Sequence, residues 1–257
     1  MANWDPQQYQ RFSGERSRPF FDLLARVPDE SVFAAADLGC GTGELTRRLL
    51  MRWPGAPIWG IDNSPDMLAA AAKLSPHRNL HFVEADLTTW QPDQPLDRIV
   101  SNAALQWVPD HASLLKHLVS LLAPQGVLAV QMPHNFDEPS HRLLAEIVKQ
   151  EPWAAVLGQW QERYFVETPA WDVNTLHQLG LEMNLWETIY YHILAGPDAV
   201  LEWMKGTALR PVLTRLSQGQ HEQFLSVYGA KLRAAYPTSG FGTLFPFRRL
   251  FFVARLR

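Results

Sequence analysis

Three glycines spaced two apart, Gly39, Gly41 and Gly43, follow the strand-like stretch Ala34-Ala35-Ala36-Asp37-Leu38 and precede the helical spacing of 45–51. This turn constrains the chain more than any other feature. Glycine lets the backbone take left-handed angles and approach a ligand with no Cβ in the way, and the helix behind it offers an N-terminus. A strand, a glycine turn and a helix in that order predict the first unit of a parallel α/β sheet.

The next hundred residues repeat that alternation. Residues 57–61, 81–85, 96–101 and 127–130 read as strands. Ser64-Pro65-Asp66-Met67 is a helix start, with Ser as N-cap, Pro in the first position and Asp in the first turn. Asp110 heads a helix with an apolar face of Leu114, Leu115, Leu118, Leu121 and Leu122, stopped near Pro124 and Gly126. The fold class expected is α/β: a doubly wound, Rossmann-like, seven-stranded and mostly parallel sheet with helical cap insertions.

The second half is less regular. Residues 134–165 read as an irregular helical excursion, and 172–179 as a helix closed by Gly180. Residues 187–191 read as a strand, 197–236 as helical and 244–256 as a last strand. The expected organisation is one domain over 1–257, with an N-terminal helical segment 1–30. Its core is 31–133 plus 166–192 and 241–257, and two cap insertions, 134–165 and 197–240, roof the carboxyl edge of the sheet. Ligands bind at that edge in open α/β sheets.

Composition narrows the function. Of 257 residues, 47% are hydrophobic, which is enough for a sizeable core. A net charge of −3 and the absence of any Lys/Arg run argue against a dedicated nucleic-acid binder. Cys40 is the only cysteine, so no internal disulfide and no cysteine-based zinc cluster can form, and no metal is expected. The polar start at Met1–Pro6 lacks the apolar centre of a secretory signal. No window reaches the roughly 20 apolar residues of a membrane span. The expectation is a cytoplasmic protein with no membrane and no nucleic-acid partner; the sequence leaves the oligomeric state open, a monomer or a weak dimer being compatible with it.

The chemistry begins with Glu44. A dinucleotide fold places a third glycine there, and a carboxylate at that helix start would oppose a pyrophosphate. The departure suits S-adenosylmethionine, which has no phosphate and presents an ammonium group. Asp62 ends the second strand 19 residues after Gly43, where a carboxylate can accept both ribose hydroxyls. Asp86, followed by Leu87, ends the third strand, from which an acid can meet the adenine amino group. Asn102 and Ala103 end the fourth strand, at the sulfur end of the cofactor. With Asp37, Gly39, Gly41, Gly43, Asn63 and Met67 these are the expected cofactor residues. Singly, each acid also reads as a loop carboxylate capping a helix; several at one sheet edge favour a cofactor site.

Asp37-Leu38-Gly39-Cys40-Gly41-Thr42-Gly43, with Asp62 and Glu84-Ala85-Asp86-Leu87, resembles the class I methyltransferases. Four further stretches narrow the resemblance: Glu15-Arg16-Ser17-Arg18-Pro19, 105–111, 125–133 and Thr207-Ala208-Leu209-Arg210-Pro211. They are similar to the trans-aconitate 2-methyltransferases and span nearly the whole chain. The resemblance implies transfer of a methyl group to one carboxylate of trans-aconitate, a small tricarboxylate, giving the monomethyl ester and S-adenosylhomocysteine.

A carboxylate is ionised at neutral pH and needs no general base. No essential catalytic residue is therefore expected, only positioning, by Tyr9, Trp107 and Arg210. A trianion calls for arginine forks, and the candidates are Arg16, Arg18 and Arg210. Tyr9, Trp107, His134 and Trp203 complete the expected substrate set, with Tyr190 and Tyr191 as further aromatics. Each arginine also reads as a surface residue, Trp107 and the other aromatics also as core, and His134 also as a loop residue. Cys40, inside the turn, reads as packing. Three other functions fit parts of the pattern. One is a methyltransferase for another small acid or an acyl thioester. The others are a module that only binds the nucleoside and a nicotinamide-dependent oxidoreductase, which Glu44 disfavours.

Overall fold

The structure, a computed structural model, describes residues 13–74, 76–160 and 164–257, without the side chains of Ser13 and Arg16. After helix α1 (Ser13–Leu24) the chain alternates strand and helix: β1 (Ala35–Leu38), α2 (Glu44–Arg52), β2 (Ile58–Asp62), α3 (Pro65–Ala71), β3 (Leu80–Glu84) and β4 (Leu96–Asn102). A 3-10 turn (Leu105–Trp107), α4 (His111–Ser120) and β5 (Leu122–Pro133) follow. Next come α5 (Pro139–Ile147), α6 (Ala154–Leu157), α7 (Pro169–Gln178), β6 (Leu181–Leu194), α8 (Ala199–Lys205), α9 (Arg210–Leu213), α10 (Gln218–Ala235), β7 (Thr238–Ser239) and β8 (Gly242–Leu256).

The strands form one sheet in the order β3-β2-β1-β4-β5-β8-β6, with β7 added as a short hairpin on β8. From β3 to β5 every pairing is parallel. The doubly wound α/β expectation therefore holds, with the hairpin strand added to the seven expected. All four residues of β1 are buried, as a central parallel strand covered on both faces requires. Local chemistry sets the helix starts. Ser64 Oγ accepts the Met67 N–H at 3.4 Å, and Asp110 Oδ1 accepts that of Ser113 at 3.1 Å.

Two strands run longer than expected. β5 begins at Leu122, so Pro124-Gln125-Gly126 lies inside a strand. Gln125 takes a φ of 65°, and the β4–β5 register shifts between Leu96 and Arg98, which absorbs the turn residues as a local irregularity. β6 covers Leu181–Leu194 rather than 187–191.

The described chain divides into two compact units. Of the described residues, the first holds 14–133, 164–188 and 250–257; the second holds 13, 134–160 and 189–249. The first unit has a core of Leu38, Ile61, Ile99, Leu118, Val130, Leu181 and Phe252, among others. In the second, Leu144, Trp153, Trp203, Phe224, Tyr228 and Phe245 anchor a separate core. Among the described residues no helix is long and apolar enough to cross a membrane.

Candidate functional site

The expected cofactor residues all fall in the first unit, around the exits of β1 to β4. β1 leaves the sheet at Leu38, and the N–H groups of Gly39 and Cys40 both donate to Ile61 O of β2, at 2.8 and 3.0 Å. The chain can make this turn only with left-handed residues: φ is 75° at Gly39, 54° at Gly41 and 75° at Gly43. Two of these positions are also sterically closed. A Cβ on Gly39 would stand 2.1 Å from Ala104 Cβ, and one on Gly43 would stand 2.4 Å from the Phe82 ring. The same ring lies 2.7 Å from a Cβ placed on Gly60. Gly41 differs, because a Cβ there would meet nothing within 4 Å; this is where the loop faces open space.

Asp62, the last residue of β2, is bonded to the loop. Its Oδ2 accepts the Gly41 N–H at 2.8 Å and its Oδ1 accepts the Ser64 N–H at 2.9 Å. Each carboxylate oxygen has a second lone pair for a ligand hydroxyl. Asp37, third residue of β1, is buried, and the Thr46 hydroxyl of α2 donates to its Oδ2 at 2.7 Å. Burial pushes the Asp37 carboxyl up to about 7; the Thr46 bond opposes the shift and the nearby Asp62 charge reinforces it. Burial and those two carboxylates push the Cys40 thiol far up, so it is packing and not a nucleophile at neutral pH.

Asp86 is exposed, two residues beyond β3. Its Oδ1 accepts the Thr88 hydroxyl at 2.7 Å and the Thr88 N–H at 2.8 Å, which hold its carboxyl below the usual carboxylate range. Leu87 beside it is half-buried, Asn63 is exposed, and Met67 is buried on α3. Asn102, paired in register with Gln131, ends β4 with its Oδ1 buried and without a hydrogen-bond partner. Ala103 then takes a φ of 57° and donates its N–H to Gln131 O at 2.9 Å. A non-glycine residue there marks a strained strand exit beside an unmet acceptor. Trp107 follows, 39% exposed, with its ring 4.8 Å from that of Tyr164.

The expected substrate residues are distributed over both units. Tyr9 lies outside the described residues, as does the side chain of Arg16. Arg18 is 70% exposed on α1, 3.8 Å from Asp22. In the second unit His134 follows β5 directly and donates its N–H to Arg248 O at 2.9 Å. Arg210 is half-buried and opens α9. Trp203 is buried in an aromatic group, stacked on His192 at 5.1 Å and 5.5–5.6 Å from Phe245 and Phe247. Tyr190 is buried beside His192, whereas Tyr191 is exposed. Sequence reading missed Thr46, whose signal was a hydroxyl one helical turn past the glycines, and Phe82, whose fit against two glycines had no local signal.

The arrangement can hold an uncharged-sugar nucleoside carrying a positive charge: Asp62 meets the loop, and among the described residues no basic side chain is bonded to it. Residues 35–126 match the family model described as a methyltransferase domain. Over 261 residues the chain is 50% identical to a trans-aconitate 2-methyltransferase of Streptomyces avermitilis, covering 99% of this chain and 97% of that protein. It is 44% identical over 255 residues to a trans-aconitate 2-methyltransferase of Azoarcus sp., covering 99% of each. Among solved structures, the Haemonchus contortus phosphoethanolamine N-methyltransferase 2 in complex with S-adenosyl-L-methionine superposes with a TM-score of 0.58. That match covers 97% of this chain and 56% of the other at 17% identity, a likeness of fold alone.

Proposed function

The chain belongs to the trans-aconitate 2-methyltransferase family, and on that premise we propose that it is an S-adenosylmethionine-dependent carboxyl O-methyltransferase acting on trans-aconitate. The observation that carries the reading is the Gly41–Asp62 hydrogen bond, which sets an acid beside the open side of the glycine turn. Asp62 accepts the ribose hydroxyls, Asp86 and Leu87 meet the adenine, and Asn63 and Met67 flank it. Asp37, Gly39, Gly41 and Gly43 shape the amino-acid end, and Asn102 offers its unmet Oδ1 there. This donor set fits the cofactor, being rich in acceptors and backbone and poor in cations. When bound, S-adenosylmethionine supplies a methyl group on a sulfonium.

The acid brings its own nucleophile. A carboxylate oxygen takes the methyl group, the thioether S-adenosylhomocysteine is left, and no proton moves. The chain's work is then to bind and orient, which can lower a barrier by up to roughly 7–11 kcal/mol. The acid contacts expected from the sequence, Arg18, Trp107, His134, Trp203 and Arg210, are kept as proposals. Tyr9 and Arg16 are proposed on the resemblance. Incubation with S-adenosylmethionine and a panel of di- and tricarboxylic acids, read by mass spectrometry, tests the reading. A trans-aconitate monoester formed faster than any other product supports it; an ester only of some other acid, or none, overturns the substrate.

A further inference from the structure

β4 leaves the sheet through a corner that is held on both sides. Ala103 stands in the left-handed region, with a φ of 57°, although it is not a glycine. Its N–H donates to Gln131 O at 2.9 Å, and its carbonyl accepts the Gln106 side-chain Nε2 at 2.7 Å. A left-handed angle is unfavourable for a residue with a Cβ and persists only where the surroundings impose it. The sheet supplies one restraint here, and the Gln106 amide supplies the other. Gln106 is 3% exposed, and its Oε1 has no hydrogen-bond partner. Leucine would fill the same space without burying an unmet acceptor, so packing does not account for a glutamine at this position.

The rest of the loop is fastened independently. His111 Nε2, at the start of α4, donates to Leu105 O at 3.0 Å. The Val108 N–H donates to the same carbonyl at 3.0 Å, and the Phe165 N–H donates to Gln106 O at 2.8 Å. Loss of the Gln106 amide therefore frees one corner, at Ala103, and leaves the backbone beyond it anchored. That corner adjoins the glycine turn, within the first unit. Ala104 Cβ lies 2.1 Å from where a Cβ on Gly39 would stand. Ser101 Oγ, two residues before the corner, donates to Leu38 O at 2.9 Å. Asn102, with its buried Oδ1 unmet, directly precedes Ala103. A swing of Ala103 toward ordinary angles would redirect Asn102 and Ala104 relative to each other.

We propose that Gln106 is a positioning residue: by holding the Ala103 carbonyl it keeps the exit of β4 in its left-handed form, ready for the amino-acid end of S-adenosylmethionine. The inference rests on the reading of this sheet edge as the cofactor site. Gln106 acts through Ala103 and moves no proton. Without its bond the exit relaxes in the ligand-free protein, and the cofactor binds only the fraction that still holds the left-handed form. Apparent affinity falls in proportion to that fraction.

The test measures the Kd for S-adenosylmethionine by calorimetry, with Tm beside it, for wild type, Gln106→Met and the double variant Ala103→Gly with Gln106→Met. Methionine keeps the side-chain length and removes the donor. Loss of one buried hydrogen bond together with relaxation of the strained angle corresponds to roughly a tenfold change. The expected result is a rise of about tenfold in Kd for Gln106→Met, most of it recovered in the double variant, because glycine takes the left-handed angle without strain. A merely structural role would not be rescued in this way, since a second glycine in the loop lowers stability further. A Kd for Gln106→Met within about twofold of wild type, whatever the Tm, overturns the proposal, and so does a weakened Kd that Ala103→Gly fails to restore. If Gln106→Met does not fold, hydrogen exchange on wild type decides. S-adenosylhomocysteine should slow exchange across 102–107, and no change there overturns the positioning role. A wild type that does not bind S-adenosylmethionine removes the cofactor reading itself, a different result from a wild type that binds and variants that bind equally well.

Discussion

Gly41 and Asp62 are joined by a 2.8 Å hydrogen bond from the loop N–H to the carboxylate, so the turn after β1 and the acid ending β2 form one unit. Removing the acid loosens the loop that faces it and, on the proposed reading, also removes a contact to the cofactor ribose. Asp62→Ala is expected to weaken S-adenosylmethionine binding by roughly a hundredfold, from two charge-assisted bonds of about 1.5–3 kcal/mol each, partly offset by water. Isothermal calorimetry reads this directly, and an unchanged Kd would remove Asp62 from the cofactor site.

The three turn glycines should not respond alike. Gly39→Ala places a methyl 2.1 Å from Ala104 Cβ, whereas Gly41→Ala meets open space. Both require a left-handed alanine, at about 1–2 kcal/mol. Denaturant unfolding should show Gly41→Ala losing about that much stability and Gly39→Ala clearly more. Equal losses would mean that backbone angle, not contact with Ala104, decides.

On the proposed reading, Asp37 ties cofactor affinity to pH. Its folded carboxyl is raised to about 7 by burial, from an ordinary value of 3.8. Below about pH 7 the group in the ligand-free protein is protonated, and a cationic ligand nearby favours the ionised form. Affinity for S-adenosylmethionine should rise as pH increases from 6 to 8, then level off. Asp37→Asn should flatten that profile. A wild-type profile already flat across the range counts against a charge contact from Asp37.

Asp172 offers a stability test away from the cofactor. It lies 0% exposed on α7, with both carboxylate oxygens lacking a hydrogen-bond partner. Burial, then the Glu167 charge, raises its carboxyl to about 7. A raised folded value for an acid means the unfolded chain ionises first, so the native state loses stability as pH climbs from about 4 to about 7. Asp172→Asn should stabilise the protein by ~2 kcal/mol at pH 8 and make little difference at pH 4. Thermal melts at the two pH values check this; an equal change at both would point to packing.

Arg210→Ala should raise KM for trans-aconitate by roughly tenfold or more with cofactor affinity preserved. Initial-rate kinetics separate this from the alternative, in which Tm falls while KM stays put and Arg210 serves the helix it opens.

The parts legible in the sequence were those written in local chemistry. The glycine turn could be read because its left-handed angles exclude other residues, and α3 and α4 because Ser64 and Asp110 announce their starts. β6 was read short because its first half alternates exposed and half-buried side chains, as in Glu182, Asn184 and Glu187, and carries no continuous apolar run. The pairing of His134 with Arg248 was invisible for another reason: it joins residues 114 apart in the chain, and nothing in either neighbourhood marks it. Likewise the buried state of Trp203 depends on β8, which supplies Phe245 and Phe247.

The Phe82 ring, set against both Gly43 and Gly60, has a consequence for how this turn can change over time. One aromatic edge fills the space of two missing methyl groups, so the three positions cannot drift separately. Alanine at Gly60 would collide with the ring, and once Phe82 had shrunk to a smaller apolar residue only a 3.1 Å approach to Cys40 Cβ would remain. Gly43 would still be held by its left-handed angle. The order of substitutions is thereby prescribed, ring first and glycine second, and the reverse path passes through a disrupted cofactor loop. A lineage carrying a bulkier residue at position 60 should show a smaller one at position 82.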